Sequence, residues 1–248
     1  STITNMGNMF ANSIFDFNIS NWNVGNVTNF FRMFDGNTEF NQNISGWNIG
    51  EHVTGTINMG VMFKDTQKFN QPIGNWDTSK VTGMNGMFLG TKVFNQSLEN
   101  WDVSNVSEFI SMFEGAEAFD QSLGSWNINS ANNMNDMLKG SGLSTKNYDA
   151  TLIGWARLDA GETRIPFNIT FIGGSSQYSF ADDARGLLTN LNWNINDGGS
   201  ACNATDFFIT TWQTTTANES ITIPTTGSGY HYDIDWGDGT IAYDITGN

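Results

Sequence analysis

Few side chains in this sequence have the types and spacing that chemistry requires. The two histidines, His52 and His231, have no Ser or Cys nucleophile motif beside them, so neither is set up for base-assisted nucleophilic attack. Asp77 and Asp102 recur at one repeat position, yet Asn23, Asn48 and Asn127 fill the same position elsewhere. A place filled equally well by an amide does not depend on ionisation. The pattern fits a hydrogen-bonding turn and argues against paired catalytic carboxylates. Asp233, Asp235 and Asp238, with Asp244 beyond them, are the group whose oxygens suit a hard cation such as calcium. Their spacing fails the EF-hand pattern, because Gly237 takes the fifth position and Asp238 the sixth; a solvated hairpin face accounts for them better. Cys202 is the single cysteine, which leaves no internal disulfide and no Cys/His set for zinc. The expectation is therefore no catalytic residue and no cofactor, with calcium as the one weak metal candidate.

Charge and composition narrow the class further. The chain has 248 residues, a formal charge of −15 and a pI near 4.2, which argues against nucleic-acid binding, since that depends on Lys and Arg neutralising phosphates. An aromatic content of 13% is too high for a disordered chain. No apolar run approaches the roughly 18 residues of a membrane span. Ser1 stands directly inside repeat sequence without the basic and apolar regions of a signal peptide, so a mature or excised segment is expected.

The elements that position these residues come from a repeat. Trp22, Trp47, Trp76, Trp101 and Trp126 are spaced by 25, 29, 25 and 25 residues, each followed by Asn or Asp. A fixed period of this length means a repeat architecture. A Phe stands seven residues before each Trp, at Phe15, Phe40, Phe69, Phe94 and Phe119, usually opening a Phe-Asn-Gln or Phe-Asp-Gln step. Between Trp and the next such Phe lies Met-x-x-Met-Phe, as in Met84, Met87 and Phe88. With Val81 these fall on one side of a short helix or 3₁₀ turn, which Gly36, Gly90 and Gly115 can stop. Trp101 to Val106 reads as a strand of a few residues. One such coil cannot bury its own apolar face, so coils must stack, pair their strands in parallel and turn the Trp and Phe columns inward. The four extra residues of the Trp47 unit are expected to bulge out between Glu51 and Met59. The fold class predicted is an α/β repeat solenoid with coils of about 25 residues.

After Trp126 the pattern decays into a closing region at about 140–200, with an amphipathic helix over 179–190 and a strand at Trp193–Asn196. From 201 the period becomes two. Tyr230, Tyr232, Ile234 and Trp236 lead through Gly237-Asp238-Gly239-Thr240 into Ile241, Tyr243 and Ile245, a hairpin with an Asp-Gly turn. Phe207–Trp212 and Ser220–Ile223 add two strand candidates, too few for a complete β-sandwich. Self-association that completes the sandwich is one expected contact.

These units, with Trp-Asp-Val-Ser-Asn-Val, Met-x-x-Met-Phe-x-Gly and Phe-Asn-Gln, resemble the BspA-like leucine-rich-repeat surface proteins of bacteria over residues 1 to about 200, including Asn147 to Trp155. The stretch Asp235-Trp236-Gly237-Asp238-Gly239-Thr240 is similar to the opening of PKD-like immunoglobulin-type domains. The resemblance implies a leucine-rich-repeat-like solenoid over 1–200 and a partial PKD-like sandwich over 201–248. It also implies a secreted, modular bacterial cell-surface protein used in adhesion, often exported by type IX secretion. The expected function is thus a non-enzymatic extracellular adhesion or spacer module, with a protein or glycan ligand as partner. A glycan-binding module and a filament subunit are the alternatives.

Overall fold

A computed structural model describes residues 3–159 and 161–201, together with the backbone of His231–Asp235 and Ile241–Thr246. The chain divides into two compact units, Ser1–Phe207 and Phe208–Asn248. Regular elements are sparse in the first: strands β1 (Ile57–Asn58) and β2 (Val81–Gly83), helix α1 (Thr145–Trp155), strand β3 (Thr170–Ile172), helix α2 (Asp182–Asn190) and strand β4 (Asn194–Asn196). β1 pairs with β2, and β3 with β4, both in parallel. Single parallel bridges join Asn5 to Asn29, Asn29 to Asn58 and Glu108 to Asn133, so neighbouring coils run in the same direction.

The Met-x-x-Met-Phe segment forms a staircase of turns, and this corrects the expected short helix. Two hydrogen-bond patterns alternate along it. In one coil Met87, Leu89 and Thr91 donate back three residues to the carbonyls of Met84, Gly86 and Phe88 at 3.1 Å each. The amides between them, at Gly86, Phe88 and Gly90, donate onward to Ile110, Met112 and Glu114 of the next coil at 2.8, 2.9 and 2.7 Å. A helix would spend every amide inside its own coil. Here half of them join one coil to the next.

The alternation needs left-handed backbone at two places in each coil. The first column holds Asn8, Arg32, Val61, Gly86, Ser111 and Asp136, and the second holds Asn12, Gly36, Asp65, Gly90, Gly115 and Gly140, all at positive φ. The glycines expected only to end a helix thus form the second column, whereas the first column interrupts the segment itself. Val61 is the costly member, a β-branched residue at φ 49°. A Cβ on Gly86 in the next coil would meet its Cγ1 at 2.8 Å, so the neighbouring position is already tight. Val61→Gly is expected to raise stability by about 0.5 to 2 kcal/mol, the released strain outweighing the entropy that Gly adds to the unfolded chain. A denaturant midpoint that falls would show that Val61 packing outweighs its strain.

The strand expected at Trp101–Val106 is a turn. Asp102 Oδ1 accepts from the backbone N–H of Ser104 at 2.9 Å and from its hydroxyl at 2.6 Å, which holds the chain in an Asx-type bend and denies it an extended run. Pairing in this coil comes later, at the bridge from Glu108 to Asn133. The insertion lies where expected: Glu51, His52, Thr54 and Gly55 are exposed, and the N–H of His52 returns to the Gly25 carbonyl at 2.9 Å.

Aromatic rings fill the interior as columns. Phe40, Phe69, Phe94 and Phe119 succeed one another at centroid distances of 5.8, 5.9 and 6.2 Å. Phe34, Phe63, Phe88 and Phe113 form a second column at 5.7, 5.8 and 5.4 Å. Within each coil the two columns meet face to face, as Phe63 and Phe69 do at 4.0 Å. Met84 and Met87 are fully buried beside them. Offset stacking of this kind adds to the area buried.

The closing region carries both expected elements, α2 and β4, and one helix not anticipated. α1 begins at Ser144, whose side chain accepts from the N–H of Asn147 as an N-cap. In the second unit β5 (His231–Asp235) and β6 (Ile241–Thr246) pair antiparallel, as the alternation predicts. The expected strands at Phe207–Trp212 and Ser220–Ile223, the Asp-Gly turn and Asp238 lie outside the described residues. No sandwich is present among the described residues.

Candidate functional site

The side chains of the Phe-Asn-Gln step and the indoles bind coil to coil, whereas Asp77 and Asp102 each close a turn within their own coil. Phe-Asn-Gln supplies the first ladder. Asn70 N–H donates to Asn41 Oδ1 at 3.0 Å, and Gln71 Nε2 donates to the same oxygen at 2.8 Å. Asn95 and Gln96 repeat this on Asn70 at 3.0 and 2.9 Å, and Asp120 and Gln121 on Asn95 at 2.9 and 2.8 Å. Only Oδ1 is needed as acceptor, which explains why Asp16 and Asp120 share this column with Asn41, Asn70 and Asn95.

A second ladder runs through the indoles. Trp47, Trp76, Trp101 and Trp126 donate Nε1–H to the carbonyls of Ile19, Ile44, Ile73 and Leu98 in the preceding coil at 3.1, 3.1, 3.0 and 2.9 Å. These four side chains are 1 to 3% exposed. Trp22, grouped with them by sequence, is only partly buried against the core. Sequence reading missed two members: Trp155 donates to Leu123 at 2.9 Å and Trp193 to Pro166 at 2.8 Å. The signal for Trp155 was its place 29 residues after Trp126, the same interval as the longest unit.

Helix α1 fits the stack by copying the ladder with other residues. Asn147 Nδ2 reaches Asp120 Oδ1 at 2.8 Å where a Gln would otherwise stand, and Thr151 Oγ1 accepts the Leu123 N–H at 3.0 Å. Beyond it lies a polar cluster built on Asp149 and Asp197. Buried Asp149 accepts the N–H groups of Ser179, Phe180 and Ala181 at 2.9, 3.2 and 3.1 Å, which fastens the start of α2 to α1. Asp197 accepts from Tyr148 Oη at 2.8 Å and from Arg185 Nε at 2.9 Å. Burial, then the Asp197 charge, pushes the Tyr148 phenol far above its ordinary value. That hydroxyl therefore stays protonated and serves as a fixed donor.

These contacts convert into a pH dependence. Hydrogen bonds from the Ser79 hydroxyl and N–H hold Asp77 below its usual 3.8. For Asp120, burial acts to raise the pKa, but hydrogen bonds from Ser144 and Asn147 outweigh it and leave the group below 3.8. A carboxyl depressed by folding adds stability that is present above its unfolded pKa and is lost as pH falls through the folded value. Stability of the repeat unit is expected to fall on acidification below about pH 4. Asp120→Asn keeps the Oδ1 acceptor, so it is expected to cost no more than about 1 kcal/mol at neutral pH and to flatten the acid limb. Thermal melts of both proteins from pH 7 to 3 test this; an unchanged acid limb would contradict it.

The other sequence candidates do not converge. His52 is exposed, with Nε2 3.8 Å from Glu51. Asp233 and Asp235 lie on β5, and no metal-binding group of His, Cys, Asp and Glu occurs among the described residues. Asp35 is nearly buried and is held by Arg32 Nε at 2.7 Å and Lys64 Nζ at 3.4 Å. No helix among the described residues is long and apolar enough to cross a membrane.

The family profile described as "Mycoplasma protein of unknown function, DUF285" matches residues 1–55 and 51–151, more than half of the chain. The chain belongs to this family. DUF285 is a repeat family related to the BspA-like leucine-rich-repeat type, in agreement with the Trp and Phe ladders. No curated protein and no solved structure matches the chain.

Proposed function

We propose that the repeat unit is a non-enzymatic spacer and display module of an extracellular bacterial surface protein, a leucine-rich-repeat-like solenoid of the BspA-like kind. The observation that carries this reading is the reuse of the same Asn/Gln and indole ladders from coil to coil. The Asn, Gln and Trp side chains are spent on joining coils, and Asp77 and Asp102 on turns within them, which suits a part that adds length and holds other modules apart. The sequence resemblance supports the surface location and an adhesive role toward a protein or glycan. The Trp columns offer no sugar-stacking face because they are interior, so a glycan reading rests instead on exposed rings such as Phe17, Phe31 and Phe167.

A spacer resists extension coil by coil. Pulled from its ends in a single-molecule experiment, the unit is expected to lengthen in multiples of one coil, about 80 to 90 Å for 25 extended residues. Extension without any resolved barrier would contradict a mechanical role. Antibodies against the repeat unit are expected to label intact cells of the source; labelling only after lysis would sink the surface assignment.

A further inference from the structure

The ladders end open at the first coil. In each later coil up to the one holding Met134 and Met137, alternate carbonyls accept N–H groups from the coil before. In the second coil these are Asn29, Phe31, Met33 and Asp35, at 2.7 to 2.9 Å. Their counterparts in the first coil are the carbonyls of Asn5, Gly7, Met9 and Ala11, and no N–H of the described residues reaches them. The indole ladder stops at the same end: Trp22 alone among the seven described tryptophans has no carbonyl acceptor for its Nε1–H among the described residues. Apolar surface accompanies these groups. Ile14 and Phe17 are 79% and 75% exposed, while Phe10, Phe15 and Trp22 are only partly covered.

This set of groups specifies its partner. The partner must present backbone N–H groups at alternate residues, one carbonyl placed for the Trp22 indole, and flat apolar rings. We propose that the first-coil face is a docking site for one more coil of the same repeat, continuing the coil-to-coil interface already described. A second copy of the chain fits badly from either end. Two first coils face to face would set carbonyl row against carbonyl row. At the far end of the ladder the Arg185 guanidinium lies on the outward edge of β4, with Nη2 donating to the Ile195 carbonyl at 3.4 Å and Nε to Asp197 at 2.9 Å, so a side chain covers the edge from which N–H groups would have to donate. A repeat coil has the required groups. Gly86, Phe88 and Gly90 already donate in this way to Ile110, Met112 and Glu114, and the Leu98 carbonyl already accepts the Trp126 indole.

The register allows a direct test. Aligning Met6 with Phe109 places Ser1 on Ser104, so a copy of residues 79–103 fused ahead of Ser1 keeps the chain in phase. In the fusion the copied Gly86, Phe88 and Gly90 amides would face the carbonyls of Gly7, Met9 and Ala11. Amides of the added coil are expected to be protected from exchange as those of the native 79–103 are. The Trp22 indole proton is expected to exchange at least about tenfold more slowly than in the parent, and the thermal midpoint to rise by roughly 3 °C or more. A scrambled fusion of the same composition should leave parent values unchanged.

A second variant separates docking from a fused coil that merely collapses. Phe17 stands where Gln42 and Gln121 stand, and Gln121 Nε2 donates to Asn95 Oδ1 at 2.8 Å. Phe17→Gln is therefore expected to raise the midpoint of the fusion by about 1 to 2 °C and to leave the parent unchanged. The proposal is overturned if the added coil exchanges as fast as the scrambled one, or if Phe17→Gln acts equally in both proteins. It is also overturned if the unfused protein dimerises with its Trp22 indole already slow to exchange, because the occupant would then be a second copy.

Discussion

Replacing Trp76 by alanine is expected to destabilise the repeat unit by about 3 to 5 kcal/mol, the range for removing a buried aromatic side chain. Trp76 lies in the middle of its column, 6.2 Å from Trp47 and 6.5 Å from Trp101, so its loss opens a cavity that two flat neighbours cannot close. The substitution also removes one of the two donors to the Ile44 carbonyl, which keeps the Trp47 N–H at 3.1 Å, so the lost hydrogen bond contributes only about 0.5 to 1.5 kcal/mol within that range. Trp76→Phe isolates the second effect, since it keeps much of the ring packing and loses the N–H. Its expected cost is smaller, about 0.5 to 1.5 kcal/mol for the lost hydrogen bond. Denaturant unfolding followed by circular dichroism measures both. Midpoints that scarcely move would place the indole in solvent and return the aromatic columns to the role of sugar platforms.

Gly154→Ala is expected to destabilise the closing region by about 1 to 3 kcal/mol even though alanine is the better helix former. Gly154 lies in α1, where alanine alone would gain about 1 kcal/mol over glycine. Its missing side chain, however, lets the helix lie directly on the backbone of Gly124: a Cβ there would land on the Gly124 carbonyl oxygen, Cα and carbonyl carbon. Gly124 is tight in return, its own Cβ position being occupied by the Ala150 carbonyl. Backbone cannot rotate out of the way as a side-chain tip can, so α1 must shift and overpacking wins. The shift would also pull Trp155 Nε1 and Thr151 Oγ1 from Leu123, so the last indole contacts should loosen with it. A rise in the thermal midpoint of Gly154→Ala would show that the helix docks less closely than this.

What the sequence made legible was periodic. The Trp interval and the constant Phe-to-Trp spacing place the interior columns, because a side chain that returns at one position in every coil must share one environment. Two features were hidden for physical reasons. The staircase at Met84–Thr91 has the apolar spacing of a helix, and side-chain pattern does not reveal whether a backbone amide bonds within its coil or to the next. The positive-φ column adds to the ambiguity, since only Gly86 among its six members is glycine, and Arg32 and Val61 give no warning. Helix α1 was hidden because it stands in for a ladder element, with Asn147 and Thr151 making contacts that Gln and the main chain make elsewhere. At the chemical end, the Asp/Asn interchange pointed to a hydrogen-bonding turn, and Asp77 and Asp102 each accept the N–H of the Ser two residues on. The partner groups of Asp149 lie 30 or more residues away, and Asp197 draws on Tyr148 at a separation of 49 residues and Arg185 at 12, beyond the reach of a short local motif.

The central claim is that each coil is bonded to its neighbour through interior columns, and the indole protons report on it most directly. In protein labelled with nitrogen-15, the Nε1–H groups of Trp47, Trp76, Trp101, Trp126, Trp155 and Trp193 each have a buried carbonyl acceptor in another coil, and slow solvent exchange is predicted for all six. Trp22, without such an acceptor among the described residues, should exchange fastest of the seven. Rapid exchange at Trp76 and Trp101, in the middle of the column, would contradict the stacked-coil account.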